Sequence, residues 1–214
     1  MVDHTLRESL RLVGEYLEKG SLSTVCFVSN DLLMKAKDDE ELKNAIEGMD
    51  LSIASTTQIL EAGGIRSVSR IREVEGDYFL RELLKRLARE KKKIFLLGNT
   101  QEELVALREQ FLSVAGKLTF FGSFALDGPE TSEDTIVNAI NVIIPDVIIS
   151  SVDSPRQEML MASSRSMVNA RLWVSLQPEV REALTKGGKS GGFLGSVIDR
   201  LIFKRTVKRY DDNG

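Results

Sequence analysis

The chain has 214 residues, of which 42% are hydrophobic and 29% are charged, so it can fill one domain core and stay in solution. Its formal net charge of −3 argues against a nucleic-acid-binding protein that works through bulk positive charge. Cys26 is the only cysteine and His4 the only histidine, which excludes an internal disulfide framework and argues against a His-based triad or multi-His metal site. Cys26 lies in an apolar run and fits a small buried hydrophobe in a reducing cytoplasm. No secretory signal pattern and no apolar run of membrane-spanning length is visible.

Hydrophobic periodicity predicts alternating helices and strands in the first part of the chain. The predicted elements are a helix over residues 5–19, a strand at Thr24–Ser29, a helix capped by Asn30 or Asp31 that runs to about Glu47, a strand at Leu51–Ala54 and a short helix towards Gly63-Gly64. Residues 65–76 are rich in charge and less regular, which favours a solvated face over a binding site.

The same alternation continues through the second part of the chain. The predicted elements are a helix capped by Asp77 that ends near Glu90, a strand at Ile94–Leu97, a helix capped by Thr100 that ends near Val114, a strand at Lys117–Phe121, a loop over Gly122–Pro129, a helix over Thr131–Ile144, a strand at Arg171–Leu176 and a helix over Pro178–Leu184. After the helix that ends at Ile144, the residues Val147, Ile148 and Ile149 indicate a strand buried on both faces. A polar loop follows, and Pro155 begins a helix that Asp153 or Ser154 can cap. The whole pattern predicts an α/β domain with a mostly parallel sheet of about six strands flanked by helices.

Three segments are expected in the domain organisation. Residues 1–185 form the α/β domain, 186–192 a glycine-rich link, and 193–214 a short amphipathic tail. The tail combines an apolar stripe with the positive charges of Arg200, Lys204 and Arg205. Two interpretations stay open: a helix packed on the domain or on a second copy in a homo-oligomer, or an interfacial helix whose cations meet an anionic membrane.

Four polar loops follow predicted strands, at Ser29-Asn30, Ser55-Thr56-Thr57, Gly98-Asn99-Thr100 and Asp153–Glu158. Because parallel strands end at one edge of a sheet, these loops are expected to line a single cleft. Hydroxyls, amides and a few carboxylates suit a sugar or a nucleotide better than a metal. The alternative is a purely structural role, in which Asn30, Ser55 and Thr100 are only helix caps. The chain has no P-loop, and no G-x-G-x-x-G follows a strand.

Two segments resemble a known family: Lys93–Gly98 (KIFLLG), and Pro145–Glu158, in which Pro155-Arg156-Gln157-Glu158 stands where the family carries Pro-Lys-Gln-Glu. The chain resembles the WecG/TagA/CpsF glycosyltransferases from about Thr24 to Arg205. The resemblance implies a Rossmann-like fold without metal or cofactor. It also implies transfer of an N-acetylhexosamine of the N-acetylmannosamine type from a UDP-sugar to a lipid-linked diphosphate sugar, for cell-surface polysaccharide or teichoic acid synthesis. Such a protein is cytoplasmic and peripheral on the inner face of the bacterial membrane.

The resemblance also points to site residues. It implies that Gln157 and Asn30 contact the donor or the acceptor, with Ser29 as a competitor of Asn30. Taken with the four loops, the expected substrate-binding residues are Asn30, Thr56, Gly98, Asn99, Arg156, Gln157 and Glu158.

One departure from the family concerns its chemistry. Where the family carries Pro-Asp-Gly, with the Asp as proposed general base, this chain reads Ala54-Ser55-Thr56. A serine cannot take up a sugar hydroxyl proton at neutral pH without a base beside it. Asp153 is the substitute base that the sequence offers. The alternatives are a catalytically degenerate paralogue that binds a sugar nucleotide, a glycan lipid or a partner enzyme without turnover, and a purely structural subunit.

Overall fold

The computed structural model describes residues 4–128 and 131–187. Its strands are β1 (Ser23–Val28), β2 (Leu51–Ala54), β3 (Lys93–Gly98), β4 (Thr119–Ala125), β5 (Val147–Ser151) and β6 (Leu172–Ser175). They form one six-stranded sheet in the order β2-β1-β6-β5-β3-β4, and every neighbouring pair is parallel. The predicted α/β, Rossmann-like class and the strand number are confirmed.

Helices cover both faces of this sheet. They are α1 (Leu6–Glu18), α2 (Asn30–Lys37), α3 (Glu40–Glu47), α4 (Thr57–Ala62), α5 (Val68–Glu75), α6 (Tyr78–Arg89), α7 (Gln101–Val114), α8 (Glu133–Ile143), α9 (Arg156–Ser163) and α10 (Pro178–Gly187), with a short 3-10 turn at Ser164–Ser166.

Alternation along the strands divides the core between two helical layers. Val25, Phe27, Val147 and Ile149 face a cluster built with α1, α6, α7 and α10. The intervening residues of these strands face α2, α3, α8 and α9 on the other side. All five residues of β5 are buried, as a central strand of a parallel sheet requires.

Several local predictions are wrong, and each has a physical reason. The helix expected to run to Glu47 is two helices, because the Asp39 side chain accepts a hydrogen bond from Leu42 N at 2.9 Å and starts α3 anew. The segment expected to be irregular contains α5. The loop expected from Gly122 begins later, because β4 stays paired with β3 as far as Ala125. Neither Asp153 nor Ser154 caps α9, whose N-cap position is Pro155 without a side-chain hydrogen bond.

Most of the predicted link and the whole tail 193–214 lie outside the described residues, so both interpretations of the tail remain predictions. Over the part of the chain that is described, no helix is long and apolar enough to cross a bilayer.

Candidate functional site

The carboxyl ends of all six strands lie on one edge of the sheet, and the four predicted polar loops therefore share that edge. The chain leaves β3 for β4 on one side and leaves β5 for β6 on the other. Such a reversal between neighbouring parallel strands opens a crevice at their carboxyl ends, where ligands of open α/β sheets bind. The loops after β3 and β5 flank this crevice.

Asn99 and Asp153 join these two loops. The Asn99 side chain accepts a hydrogen bond from Asp153 N at 3.1 Å and donates one to Asp153 Oδ1 at 3.1 Å. Its Nδ2 also donates to Glu103 Oε2 at 3.1 Å. Both Asp153 and Glu103 are exposed at the rim. The sequence-predicted residues Asn99 and Asp153 are thus brought together by direct contact.

Gln157 is turned inward and is only 1% exposed. Its side-chain oxygen accepts a hydrogen bond from Val152 N at 3.3 Å, and its amide nitrogen donates to Leu176 O at 3.3 Å. The side chain therefore holds the loop after β5 against the chain after β6. A substrate contact from Gln157 stays a prediction, and it requires the amide to share or leave these backbone partners.

Glu158 is fully buried behind Gln157. Its Oε1 accepts hydrogen bonds from Gln177 Nε2 at 2.9 Å, Ser154 Oγ at 3.0 Å and Gln157 Nε2 at 3.3 Å. Its Oε2 has no partner among the described residues. Burial raises the pKa of Glu158, and these hydrogen bonds oppose the shift only in part. Such a carboxyl group stabilises the loops from within, and a substrate contact from Glu158 stays a prediction.

Cys26 lies near this carboxyl group. Burial raises the pKa of its thiol to about 12, and the charge of Glu158 adds to the effect. A thiol in this environment is not a nucleophile at neutral pH.

Ser55 occupies the position at which the family resemblance expects a carboxylate. Its backbone N and its Oγ both donate hydrogen bonds to Val28 O, at 2.9 Å each. The residue is 8% exposed, so the hydroxyl ties β2 to β1 and does not point into open solvent. The neighbouring Thr56 Oγ1 is buried without a partner among the described residues.

Asn30, not Ser29, presents its side chain at the surface. Ser29 is buried and caps α2 by accepting from Leu32 N at 3.1 Å, so the predicted cap at Asn30 or Asp31 is wrong. Asn30 is exposed, and its amide donates to Gln58 Oε1 on α4. This contact connects the loops that follow β1 and β2, so Asn30 lies at the rim where a ligand can reach it.

Arg156 and Gly98 occupy contrasting positions. Arg156 is exposed at the first residue of α9, and no ion pair or hydrogen bond involves its guanidinium in the described parts of the chain. Gly98 is buried at the end of β3, where an added Cβ would lie 2.9 Å from Leu104 Cδ2. Gly98 thus allows α7 to pack closely, whereas Arg156 is a cation available at the rim.

Sequence reasoning missed two side chains of this edge. Gln177, after β6, donates to Glu158, and Lys35 Nζ donates to Ser154 O at 3.2 Å while pairing with Asp31 at 2.8 Å. The Asp31–Lys35 spacing signals a helical ion pair, but nothing local reveals that Lys35 reaches the loop after β5.

Metal ligands are not gathered at this edge: residues 4–128 and 131–187 contain no group of three or more His, Cys, Asp or Glu side chains that could hold an ion.

A model of the glycosyl transferase WecG/TagA/CpsF family matches residues 1–176, which include all six strands and the four loops. A search of curated proteins found no match.

Proposed function

The chain belongs to the WecG/TagA/CpsF family of glycosyltransferases, and we propose that it transfers an N-acetylhexosamine of the N-acetylmannosamine type from a UDP-sugar to a lipid-linked diphosphate sugar. The proposed role is a step in bacterial cell-surface polysaccharide or teichoic acid synthesis. One observation carries the proposal: the family match spans the whole sheet, and polar loops flank its switch-point crevice.

The rim residues suit the donor. Asn30 and Asn99 offer amides for a sugar or a ribose, and Arg156 offers a planar cation for the diphosphate. Thr56 stays a predicted contact, and it requires its buried hydroxyl group to become accessible. Gln157 and Glu158 hold the loops behind them. Asp153 is the base that the sequence suggests, and its carboxylate lies at the rim, where Asn99 orients it.

Ligand binding is the first test. UDP or UDP-N-acetylhexosamine should raise the melting temperature, since a ligand at 100 times its dissociation constant stabilises by about 2.7 kcal/mol. Arg156→Ala should reduce that rise, while Arg89→Ala, at the far end of α6, should leave it unchanged. Each variant is compared with its own ligand-free form. No rise at millimolar ligand would contradict the proposal.

Ser55 favours a second candidate, binding without turnover. Its hydroxyl is engaged with Val28 O, and the loop that it begins contains no carboxylate. A catalytically degenerate member would still bind a sugar nucleotide, a glycan lipid or a partner enzyme. A transfer assay with a lipid-diphosphate acceptor separates the two: intact UDP binding with no product supports the second candidate.

The proposed role of the tail is to bring the enzyme to the membrane. Arg200, Lys204 and Arg205 would place the protein against anionic lipid on the inner face of the membrane, near a lipid-linked acceptor. The competing proposal is that the same stripe packs against a second copy.

A further inference from the structure

A small cavity lies beside the carboxyl end of β2, on the face covered by α1, α5 and α6. Ala54, the residue before Ser55, lines it together with Phe27 and Asp77. Its volume of about 30 Å³ admits a hydroxyl group or a water molecule and not a sugar ring. The position expected to carry the family carboxylate is therefore next to a cavity that contains a different carboxylate.

Asp77 is the unusual member of this cavity. It is 6% exposed, and its Oδ2 has no hydrogen-bond partner among the described residues. It precedes α6 in the left-handed conformation, with φ 47° and ψ 38°, and makes no side-chain cap. Both the conformation and the unpaired buried carboxyl group cost free energy, and residues that carry such costs cluster at functional sites.

The charged neighbours of Asp77 do not neutralise it. Burial raises the pKa of Asp77 to about 7, and Arg81 on α6 opposes the shift. Arg81 is occupied with main-chain oxygens, donating from Nε to Gly76 O at 3.0 Å and from Nη2 to Leu184 O at 3.4 Å. A general base works best when its pKa is close to the working pH.

The other elements around the cavity bring few charges. From α5, Arg70 and Glu73 form an ion pair, and Glu73 also accepts from Leu6 N at 3.3 Å. His4 lines the cavity from the segment before α1, and β2 contributes Ser52, Ile53 and Ala54, none of which is charged. The Glu73 carboxylate is thus paired, which leaves Asp77 as the carboxyl group with an open oxygen.

We propose that Asp77 is the general base of the transfer, and that the cavity receives the attacking hydroxyl group of the acceptor sugar. This inference rests on the proposed glycosyltransferase function. The acceptor oxygen forms a bond to the anomeric carbon of the donor, and the bond from that carbon to the diphosphate oxygen breaks. UDP leaves with the electron pair, and the hydroxyl proton passes to the Asp77 carboxylate. Asp77 thereby replaces the carboxylate absent at Ser55.

Asp153 is the competing base. It lies in the crevice between β3 and β5, is exposed, and is hydrogen-bonded to Asn99. Asp153 suits donor positioning better than proton uptake, because it is exposed at the rim and its carboxylate already accepts a hydrogen bond from Asn99.

The test is a transfer assay with UDP-N-acetylhexosamine and a lipid-diphosphate acceptor, run beside UDP titration calorimetry. Asp77→Asn should lower kcat by about 100-fold or more, the usual contribution of a general base, and leave the Kd of UDP within about twofold. The wild-type kcat/KM should rise with pH through about 7, and this inflection should disappear in Asp77→Asn. His4→Gln should keep the inflection, and Glu102→Gln, on the exposed first turn of α7 and outside the cavity, should leave both kcat and the inflection unchanged. Formate should partly restore turnover to Asp77→Ala.

Three results would overturn the inference. The first is that Asp77→Asn keeps the wild-type kcat or an unchanged inflection in kcat/KM. The second is that Asp153→Asn, and not Asp77→Asn, loses both turnover and the inflection. The third is wild-type protein that binds UDP but yields no product at any pH, which supports the degenerate candidate. Absent UDP binding would instead defeat the proposed function itself, and this inference with it. Circular dichroism confirms that each variant is folded.

Discussion

Asn99 and Asp153 are 54 residues apart in the chain and exchange two hydrogen bonds across the edge of the sheet. The pair spans the crevice between β3 and β5, where the chain reverses its winding direction. A single asparagine thus sets the distance between the two loops that flank the proposed donor site.

Replacing Asn99 should separate these loops. Asn99→Asp places a second carboxylate against Asp153 and Glu103, so like charges repel where hydrogen bonds now form. We expect the Kd of UDP to rise by about tenfold, which corresponds to the loss of one hydrogen bond of about 1.4 kcal/mol. Calorimetry measures this, with Asn44→Ala on α3 as the matched control. Unchanged affinity would show that the crevice is not the UDP site.

Gln157 should contribute to stability even without ligand. Gln157→Ala leaves Val152 N and Leu176 O unpaired in a buried environment, which costs about 1–3 kcal/mol. Urea unfolding monitored by circular dichroism should show this loss, while Gln101→Ala, at the exposed start of α7, should change little. A Gln157→Ala protein of wild-type stability that no longer binds UDP would show that the amide serves the ligand alone.

Asp77 should make the free energy of unfolding fall as pH rises. Its pKa is raised from 3.8 to about 7 in the folded chain, so the folded state binds the additional proton between these values. The shift corresponds to about 4 kcal/mol between pH 4 and pH 7. Asp77→Asn should remove most of this slope and be more stable than wild type at pH 8. Parallel curves for the two proteins would contradict the raised pKa.

Asp50 should make the free energy of unfolding rise with pH in the acidic range. Burial raises the pKa of this carboxyl group, but hydrogen bonds from Thr24 and from the guanidinium of Arg165 outweigh burial and hold the pKa below its usual value. The stabilisation from Asp50 is therefore present above its ordinary pKa of 3.8 and is lost as pH falls through the lower folded pKa. Asp50→Ala should cost about 1–3 kcal/mol at pH 7, because it leaves the buried Thr24 N unpaired.

The difference between Asp50→Ala and wild type should narrow below pH 4. Arg165→Ala should cost less, since its side chain is 38% exposed and solvent weakens the pairing. A constant difference across the pH range would show that packing, and not the carboxylate, accounts for the loss.

Truncation of the tail 193–214 should show whether this segment binds a membrane or forms a contact between subunits. Truncation after Gly192 removes the positive charges of Arg200, Lys204 and Arg205, and should abolish binding to vesicles that contain anionic lipid, as measured by co-sedimentation. Substitution of these three residues by Gln should weaken binding in proportion to the lost charge. If truncation instead leaves sedimentation unchanged and lowers the oligomeric mass, the tail is a subunit contact.

The sheet was predictable because each strand is a short apolar run followed by polar residues. In a parallel sheet that pattern also places the loops after β1, β2, β3 and β5 on one edge, and the structure confirms this arrangement. Helix boundaries set by capping side chains were harder to predict from hydrophobic spacing. The carboxylate of Asp39 restarts a helix that hydrophobic spacing alone continues.

Burial of polar groups was the hardest feature to predict. Arg156, Gln157 and Glu158 are consecutive polar residues, yet the first is exposed and the other two are buried, because the contacts of Gln157 and Glu158 come from distant parts of the chain. Asp77 reads as a helix cap, and only the left-handed backbone and the cavity distinguish it.

The two hydrogen bonds from Ser55 to Val28 O also constrain which side chain position 55 can carry. An aspartate introduced at position 55 would lack the hydroxyl donor and would bring negative charge towards a buried carbonyl oxygen. The N–H of residue 55 would still donate to Val28 O, so one of the two hydrogen bonds would remain and the other would be lost. A carboxylate at this position is therefore disfavoured by the contact that the serine makes.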